Sequence, residues 1–373
     1  MSAEKKMKFN KQLENIKVYE GGKPIELVIK EFGIDAKDII KLASNENPFG
    51  TSEKVVKAIQ DNAHLVHMYP DDSMSEIKEA LADKFQVQTA NIIMGAGSDE
   101  VISFAINAKA NKYKKVLTAR TTFAMYDIYS RQVGAKVIKT PSHQHNLDEF
   151  LHLYKKEKDI GVIFLCLPNN PLGECLKKED VFNFIKKIDD NTLVVVDGAY
   201  QDFAMAKNPK MKIDPKELIE TFPNTLYLGT FSKSYGLGGM RVGYGIASEE
   251  IMTALYKMRP PFNVTSLSLK AAKAALEDNE FVAKTIENNF SEMKKYEDFA
   301  KENKIDFIDS YTNFITFTFT SKRNSKNIAQ ILLKKGIIIR DLTSYGVNGV
   351  RVTIGTPEQN SRFLEAFKEV LTI

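Results

Sequence analysis

The chain is expected to fold as an α/β protein: a three-layer α/β/α large domain built on a mainly parallel sheet, with a smaller α+β domain after it. Three observations lead there. At 373 residues the chain exceeds the roughly 250–300 at which a single core stops growing, so two lobes are expected. Between about residues 90 and 250 short apolar runs alternate with amphipathic stretches, and runs without period-two alternation imply strands covered on both faces. After Pro260-Pro261 the rhythm changes to a long helical region followed by alternating strands, the pattern of helices beside an antiparallel sheet.

The elements follow in order. Residues 1–44 are too short to stand alone and are expected to pack on the smaller domain; residues 45–260 form the large domain and 261–373 the smaller one. Strands are expected at Asn91 to Met94, Lys115 to Ala119, Ala135 to Lys139, Gly161 to Leu167, Thr192 to Val196, Thr225 to Leu228 and Arg241 to Ile246. Amphipathic stretches between them, at Ser98 to Ala110, Phe123 to Val133, Leu147 to Lys158 and Glu179 to Ile188, predict covering helices. The smaller domain should hold one helical region from about Thr265 to Asn303, strands at Asn313 to Phe319, Gly336 to Arg340 and Gly349 to Ile354, and a closing helix from Pro357 to Leu371.

Bulk properties exclude several classes. The formal charge of +4 is small and its basic residues are spread out, so nucleic acid is not an expected partner. No run reaches the about 18 apolar residues of a membrane span, and the polar start, Met-Ser-Ala-Glu-Lys-Lys, lacks a signal core. A cytoplasmic protein is expected. Cys166 and Cys175 match neither a zinc pattern nor a redox pair, and Cys166, inside an apolar run, reads as a buried small hydrophobe.

Chemistry concentrates in four segments. In Thr230-Phe231-Ser232-Lys233-Ser234-Tyr235-Gly236-Leu237-Gly238-Gly239-Met240-Arg241 a lysine lies between hydroxyls, with glycines and an arginine beyond. Such a lysine can form a Schiff base with an aldehyde, while Thr230, Ser232 and Arg241 suit phosphate oxygens and the glycines allow close approach. A solvated glycine-rich loop is the bland alternative. Gly95-Ala96-Gly97-Ser98-Asp99-Glu100 turns from a strand into a helix and offers backbone N–H groups to a phosphate, or is simply a helix capped by Ser98. Leu165 to Gly173 presents Asn170 between prolines at the edge of the sheet, and Val194-Val195-Val196-Asp197-Gly198-Ala199-Tyr200 ends an apolar strand in an acid. A carboxylate there can keep a pyridine nitrogen protonated.

In this order the residues resemble the fold-type I pyridoxal-phosphate aminotransferases, over nearly the whole chain. The resemblance implies pyridoxal 5'-phosphate as cofactor, with Lys233 as its aldimine lysine and proton shuttle. It implies Asp197 on the pyridine nitrogen, Asn170 and Tyr200 on the phenolate oxygen, and Gly97, Ser98, Asp99, Thr230, Ser232 and Arg241 around the phosphate. Phe123 falls where the family stacks an aromatic ring; many relatives have tyrosine there, so the stacking stays and a hydroxyl is lost. Tyr69 matches the tyrosine that reaches the phosphate from the partner subunit, which implies a homodimer, and Arg351 matches the arginine that binds the substrate carboxylate.

Four further segments are similar to the histidinol-phosphate branch of that family: Tyr19 to Pro24, Ser44 to Gly50, Arg259 to Val264 and Gly336 to Asp341. That branch transfers an amino group between L-histidinol phosphate and 2-oxoglutarate, giving imidazole-acetol phosphate and L-glutamate. Tyr19 and Arg340 then lie where the substrate phosphate is held, and Asn45 near the carboxylate end. Histidinol phosphate lacks an α-carboxylate whereas glutamate has two carboxylates, so Arg340 and Arg351 serve different groups in turn and both are assigned to substrate binding.

The alternatives on the same fold are an aromatic amino-acid aminotransferase and a decarboxylase of the threonine-phosphate type. A cofactor-binding regulator would need a DNA-binding segment that the short N-terminus leaves no room for, and a nicotinamide enzyme would need a fuller glycine fingerprint. His64, His67, His143, His145 and His152 fall in no cofactor motif and read as surface or packing residues, with no metal site expected.

Overall fold

The computed structural model describes residues 7–16, 18 and 24–372. Strand β1 is Ile40–Lys41, and seven strands then form one sheet: β2 (Ile92–Gly95), β3 (Lys115–Thr118), β4 (Val137–Lys139), β5 (Ile160–Cys166), β6 (Leu193–Asp197), β7 (Thr225–Thr230) and β8 (Gly243–Ala247). Their spatial order is β2-β8-β7-β6-β5-β3-β4. Only β8 runs antiparallel to its neighbours, β2 and β7; β4, β3, β5, β6 and β7 pair in parallel. All seven expected strands are present.

The absence of alternation in β5 and β6 has the reason anticipated for it. Every residue of both strands is buried, and successive side chains enter separate cores on the two faces. Ile163, Leu165, Val194 and Val196 face one core, shared with Ile77, Leu81 and Phe184. Val162, Phe164 and Val195 face the other, with Phe104, Tyr126 and Met252. Burying one such side chain contributes about 1.5–3 kcal/mol, which holds the helices on both faces.

In the smaller domain β9 (Asp306–Ile308), β10 (Phe314–Thr318), β11 (Ile337–Ile338), β12 (Arg340–Asp341) and β13 (Gly349–Thr353) follow. Four of them form an antiparallel sheet in the order β12-β13-β10-β9, packed on Tyr296, Phe363 and Phe367. β1 pairs in parallel with β11, and Val28 and Ala43 pack on Ile338, so this part of the N-terminal stretch lies on the smaller domain.

Three expectations need correction. The single helical region from Thr265 to Asn303 is two helices, Ser266–Leu276 and Asn279–Glu302, because Asp278 between them caps the second by accepting from Phe281 N. The first helix, which a boundary at residue 260 gives to the smaller domain, packs Ala271, Ala272 and Ala275 into the large-domain core. The strand expected over Gly336 to Arg340 is split between two sheets, since Ile337–Ile338 pairs with β1 and Arg340–Asp341 with β13. No helix among the described residues is long and apolar enough to cross a membrane.

Candidate active site

The carboxyl ends of β5, β6 and β7 open into a cavity of about 250 Å³, the position where open α/β sheets bind ligands. Its walls bring together residues from four separate stretches: Gly97, Ser98 and Asp99; Phe123; Asn170; and Asp197 with Tyr200. Thr230, Ser232, Lys233 and Arg241 complete it. All eleven cofactor residues expected from this chain's own large domain thus face one space.

Lys233 is half-buried, and its Nζ lies 5.7 Å from the centre of the Tyr200 ring and 3.5 Å from Ser44 O. Burial, and then the nearby charges of Arg351 and Arg241, lower its pKa to about 8. Roughly a tenth of such an amine is neutral at pH 7, against roughly 0.03 % for an ordinary lysine, so nucleophilic amine is available. The loop is fixed from behind: Asn47 Nδ2 donates to Lys233 O (3.3 Å), Ser234 O (3.1 Å) and Thr285 Oγ1 (3.0 Å).

At one end of the cavity the helix Ser98–Lys109 points its N-terminus inward. Ser98 does not cap it, contrary to expectation: Gly97 holds the cap position at φ 82° and no side chain caps the N–H groups of the first turn. The first N–H groups therefore remain available to an anion. A Cβ on Gly97 would stand 2.7 Å from Arg241 Nη2, so only glycine lets the guanidinium close over the turn. Arg241 itself has φ 51°, a strained conformation for a long side chain, and donates to Gly238 O at 3.2 Å. Ser232 N and Thr230 Oγ1 are 3.1 Å apart, and Thr230 Oγ1 and Ser232 Oγ 3.0 Å apart. Of the three glycines in this loop only Gly236 is demanded by space, with φ 70° and a Cβ position 2.1 Å from Gly50 O; Gly239 faces open space.

At the other end Asp197 is buried. Burial raises its pKa, while hydrogen bonds from Tyr126 Oη (2.6 Å) and Ala199 N (3.1 Å) pull it back. Tyr200 Oη accepts from Asn45 Nδ2 at 2.8 Å, which leaves the Tyr200 proton to donate into the cavity. Asn170 Oδ1 accepts from Arg351 Nη1 at 2.6 Å, which turns the amide's donor nitrogen toward the remaining space. Arg351 Nη2 also donates to Ala43 O at 2.5 Å, and its guanidinium lies 5.1 Å from the Phe314 ring centre.

This donor set fits a phosphorylated pyridine aldehyde. The uncapped helix start, two hydroxyls and Arg241 would hold a phosphate, Phe123 would cover the ring, Asp197 would meet a ring nitrogen, and Lys233 lies between the two ends.

The remaining site residues are more dispersed. Arg340 lines a second cavity, of about 560 Å³, together with Arg120, Arg131 and Lys139; Phe123 borders both cavities. Tyr69 is 83% exposed and stacks on Phe262, away from the cavity of its own chain. Tyr19 lies outside the described residues. Tyr126 and Asn47 were missed as site residues: one turn of helix after Phe123 is the signal that could have pointed to Tyr126, and Asn47 lies in the Asn-Glu-Asn-Pro run. Cys166 lines the floor of the cavity, and burial drives its thiol pKa up. His145 is buried on Phe150 and faces Glu174 at 3.2 Å, and His143 faces Thr121 Oγ1 at 2.7 Å.

Known proteins resemble this chain over nearly its whole length. The family described as aminotransferase class I and II matches residues 37–367. Histidinol-phosphate aminotransferase of Aliarcobacter butzleri is 59% identical over 365 residues, covering 98% of this chain and 99% of that protein. The enzyme of the same name from Campylobacter lari is 60% identical, covering 97% and 99%. Among solved structures, histidinol-phosphate aminotransferase from Sinorhizobium meliloti in complex with pyridoxal-5'-phosphate superposes with a TM-score of 0.89. It is 22% identical and covers 100% of this chain and 99% of that one; at that identity the likeness bears on the fold.

Proposed function

The chain belongs to the class I and II aminotransferases, and from that premise we propose that it transfers an amino group reversibly between L-histidinol phosphate and 2-oxoglutarate, within histidine biosynthesis. It is a pyridoxal-phosphate-dependent aminotransferase. One observation carries the choice of a phosphorylated substrate: a second cavity lined by Arg340 and Arg120, and by Arg131 and Lys139 paired with Asp127, meets the lysine cavity at Phe123, which offers guanidinium donors to a second phosphate on a substrate whose amine lies toward Lys233. The named relatives, alike over nearly their whole length, support the same choice.

When bound, the pyridoxal ring supplies a carbonyl for the incoming amine and an electron sink for the substrate α-carbon. The chain supplies the rest. Lys233, with its pKa near 8, would carry a proton between the substrate α-carbon and the carbon of the cofactor's aldehyde group, acting as base and then acid. Asp197, its charge supported by Tyr126, would hold a proton on the ring nitrogen. Arg351, as a planar two-point donor, would bind a carboxylate of glutamate or 2-oxoglutarate, and Arg340 the group at the far end. The site is closed by a second copy of the chain: Tyr69, exposed beside Met68 and Val66, would complete the phosphate site of its partner in a homodimer. A cytoplasmic location belongs to the same reading, which the two free thiols Cys166 and Cys175 support.

Two measurements test this. Borohydride reduction of the holoprotein followed by peptide mass spectrometry should place the pyridoxyl group on Lys233; a label elsewhere, or none, would end the assignment of the site. A panel of histidinol phosphate, phenylalanine, tyrosine and threonine phosphate should show the highest kcat/KM for histidinol phosphate and no carbon dioxide release from threonine phosphate. Inactivity on histidinol phosphate would remove the substrate and leave the reaction class.

A further inference from the structure

The segment Arg259-Pro260-Pro261-Phe262-Asn263 touches no reacting group, yet it is tied at both ends. Arg259 forms a two-point pair with Asp72, Nη1 to Oδ1 and Nη2 to Oδ2, each at 2.8 Å. The same Nη1 donates to Asn263 Oδ1 at 3.0 Å. Asn263 Nδ2 in turn donates to Glu100 Oε2 at 2.6 Å and to Met94 O at 3.3 Å. Glu100 Oε2 also accepts from Ala96 N at 2.7 Å. Ala96 immediately precedes Gly97, the cap of the helix whose N-terminus opens on the phosphate end of the cavity.

At the other end, Asp72 Oδ1 accepts from Phe262 N at 2.7 Å. The Phe262 ring stacks on Tyr69 with centroids 4.9 Å apart and planes at 29°. Phe262 has φ 57°, which a bulky residue holds only where its surroundings over-determine it. The Asp72 bond and the Tyr69 ring provide that constraint. A continuous path therefore runs from the exposed Tyr69 ring, through Phe262 and Asp72, to Arg259, Asn263 and Glu100, ending at the backbone of the phosphate turn. The Arg259 side chain is 10% exposed and that of Asp72 40%, so solvent partly screens the charge of the pair and its contribution lies in the two-point geometry.

Resting on the homodimer of the proposed function, we infer that Arg259 and Asn263 are positioning residues serving two active sites at once: they hold the phosphate turn of their own subunit and, through Asp72 and Phe262, aim Tyr69 at the phosphate site of the partner. Both tasks set hydrogen-bond donors around a phosphate, where small displacements cost affinity.

The test uses dimers assembled from two differently tagged full-length chains, one carrying Lys233→Ala. The only competent site then takes its lysine from one chain and its Tyr69 from the other. Arg259→Lys, which keeps the charge and loses the two-point geometry, is placed either on the lysine-bearing chain or on its partner. Pyridoxal phosphate is titrated into each apo dimer and its affinity read from the visible absorbance of the bound cofactor. The expected result is a rise in Kd of about tenfold in both placements, a loss of about 1.4 kcal/mol by the affinity relation. A change below about twofold when the substitution sits on the partner chain overturns the inference, since a purely local role predicts an effect only beside the lysine. If Arg259→Lys does not assemble, Asp72→Asn is tested in the same two placements with the same expected and overturning results. The unsubstituted mixed dimer keeps about half of wild-type activity on histidinol phosphate if the proposed function holds. A chain that proves monomeric in solution overturns the inference alone and leaves the reaction class standing.

Discussion

Arg351 Nη1 lies 2.6 Å from Asn170 Oδ1, joining β13 of the smaller domain to the turn that follows β5 of the large sheet. The bond does two things. It engages the oxygen of the Asn170 amide, and it holds the Arg351 guanidinium beside the cavity, with Ala43 O as its second anchor at 2.5 Å. Under the proposed roles, substrate binding and cofactor positioning would share one side chain.

Arg351→Lys should therefore raise KM for glutamate and 2-oxoglutarate by about tenfold or more, because a lysine ammonium loses the two-point geometry. The KM for histidinol phosphate, which has no α-carboxylate, should change less. Steady-state kinetics of both half-reactions check this, and equal increases for the two substrates would contradict it.

Tyr126→Phe removes the 2.6 Å donor to Asp197. That bond lowers a carboxyl pKa that burial raises, so its loss should raise the pKa further and leave less of the anion to pair with a pyridine nitrogen. The expected outcome is a fall in kcat of about tenfold and an acid limb of the pH–rate profile moved to higher pH. A profile that falls in amplitude without moving would assign Tyr126 to packing instead.

Lys233 has its pKa lowered from 10.5 to about 8 in the folded chain. Between those two values the unfolded chain binds more protons, so the stability of the apoprotein should rise with pH through that window. Below about pH 8 the cost of burying the charge is present in full, on the order of 2–3 kcal/mol. Apo Lys233→Met should accordingly unfold a few degrees above apo wild type at pH 7, with the gap closing toward pH 10. Thermal melts across that range, with cofactor removed, measure it.

Gly236→Ala should fail where Gly239→Ala succeeds. The first needs φ 70° and would bring a Cβ to 2.1 Å from Gly50 O, while the second meets nothing within 4 Å. We expect Gly236→Ala to lose about 3 kcal/mol or more in urea unfolding, or to yield no folded protein, and Gly239→Ala to stay within about 0.5 kcal/mol of wild type.

Much of the fold was legible in the chain because the strongest signals were local. The uninterrupted apolar runs of β5 and β6 mark strands buried on both faces, and each ends in the polar residue that reaches the cavity, Asn170 shortly after β5 and Asp197 at the end of β6. Arg340, read from the branch resemblance as a substrate-phosphate contact, lines the neighbouring cavity that shares Phe123 with the first, and that adjacency was not legible in the sequence. The break between Leu276 and Asn279 was hidden because helical periodicity continues across it, while Asp278 acts through a cap that periodicity does not reveal. Asn47 and Tyr126 were not legible as site residues because their partners, Thr285 and Asp197, are 238 and 71 positions away.

The sequence by itself determined the alternation of strands and covering helices through the large domain, the seven apolar runs of its sheet, and the residue types that suit a phosphate, a ring nitrogen and an imine. These follow from short-range patterning and from the chemistry of side chains. Only the tertiary structure decided which of them share a space: that Gly97 yields room to Arg241, that Tyr126 supports Asp197, and that Arg351 grips Asn170. Such relationships depend on contacts between segments far apart in the chain, and packing, not local pattern, sets their distances.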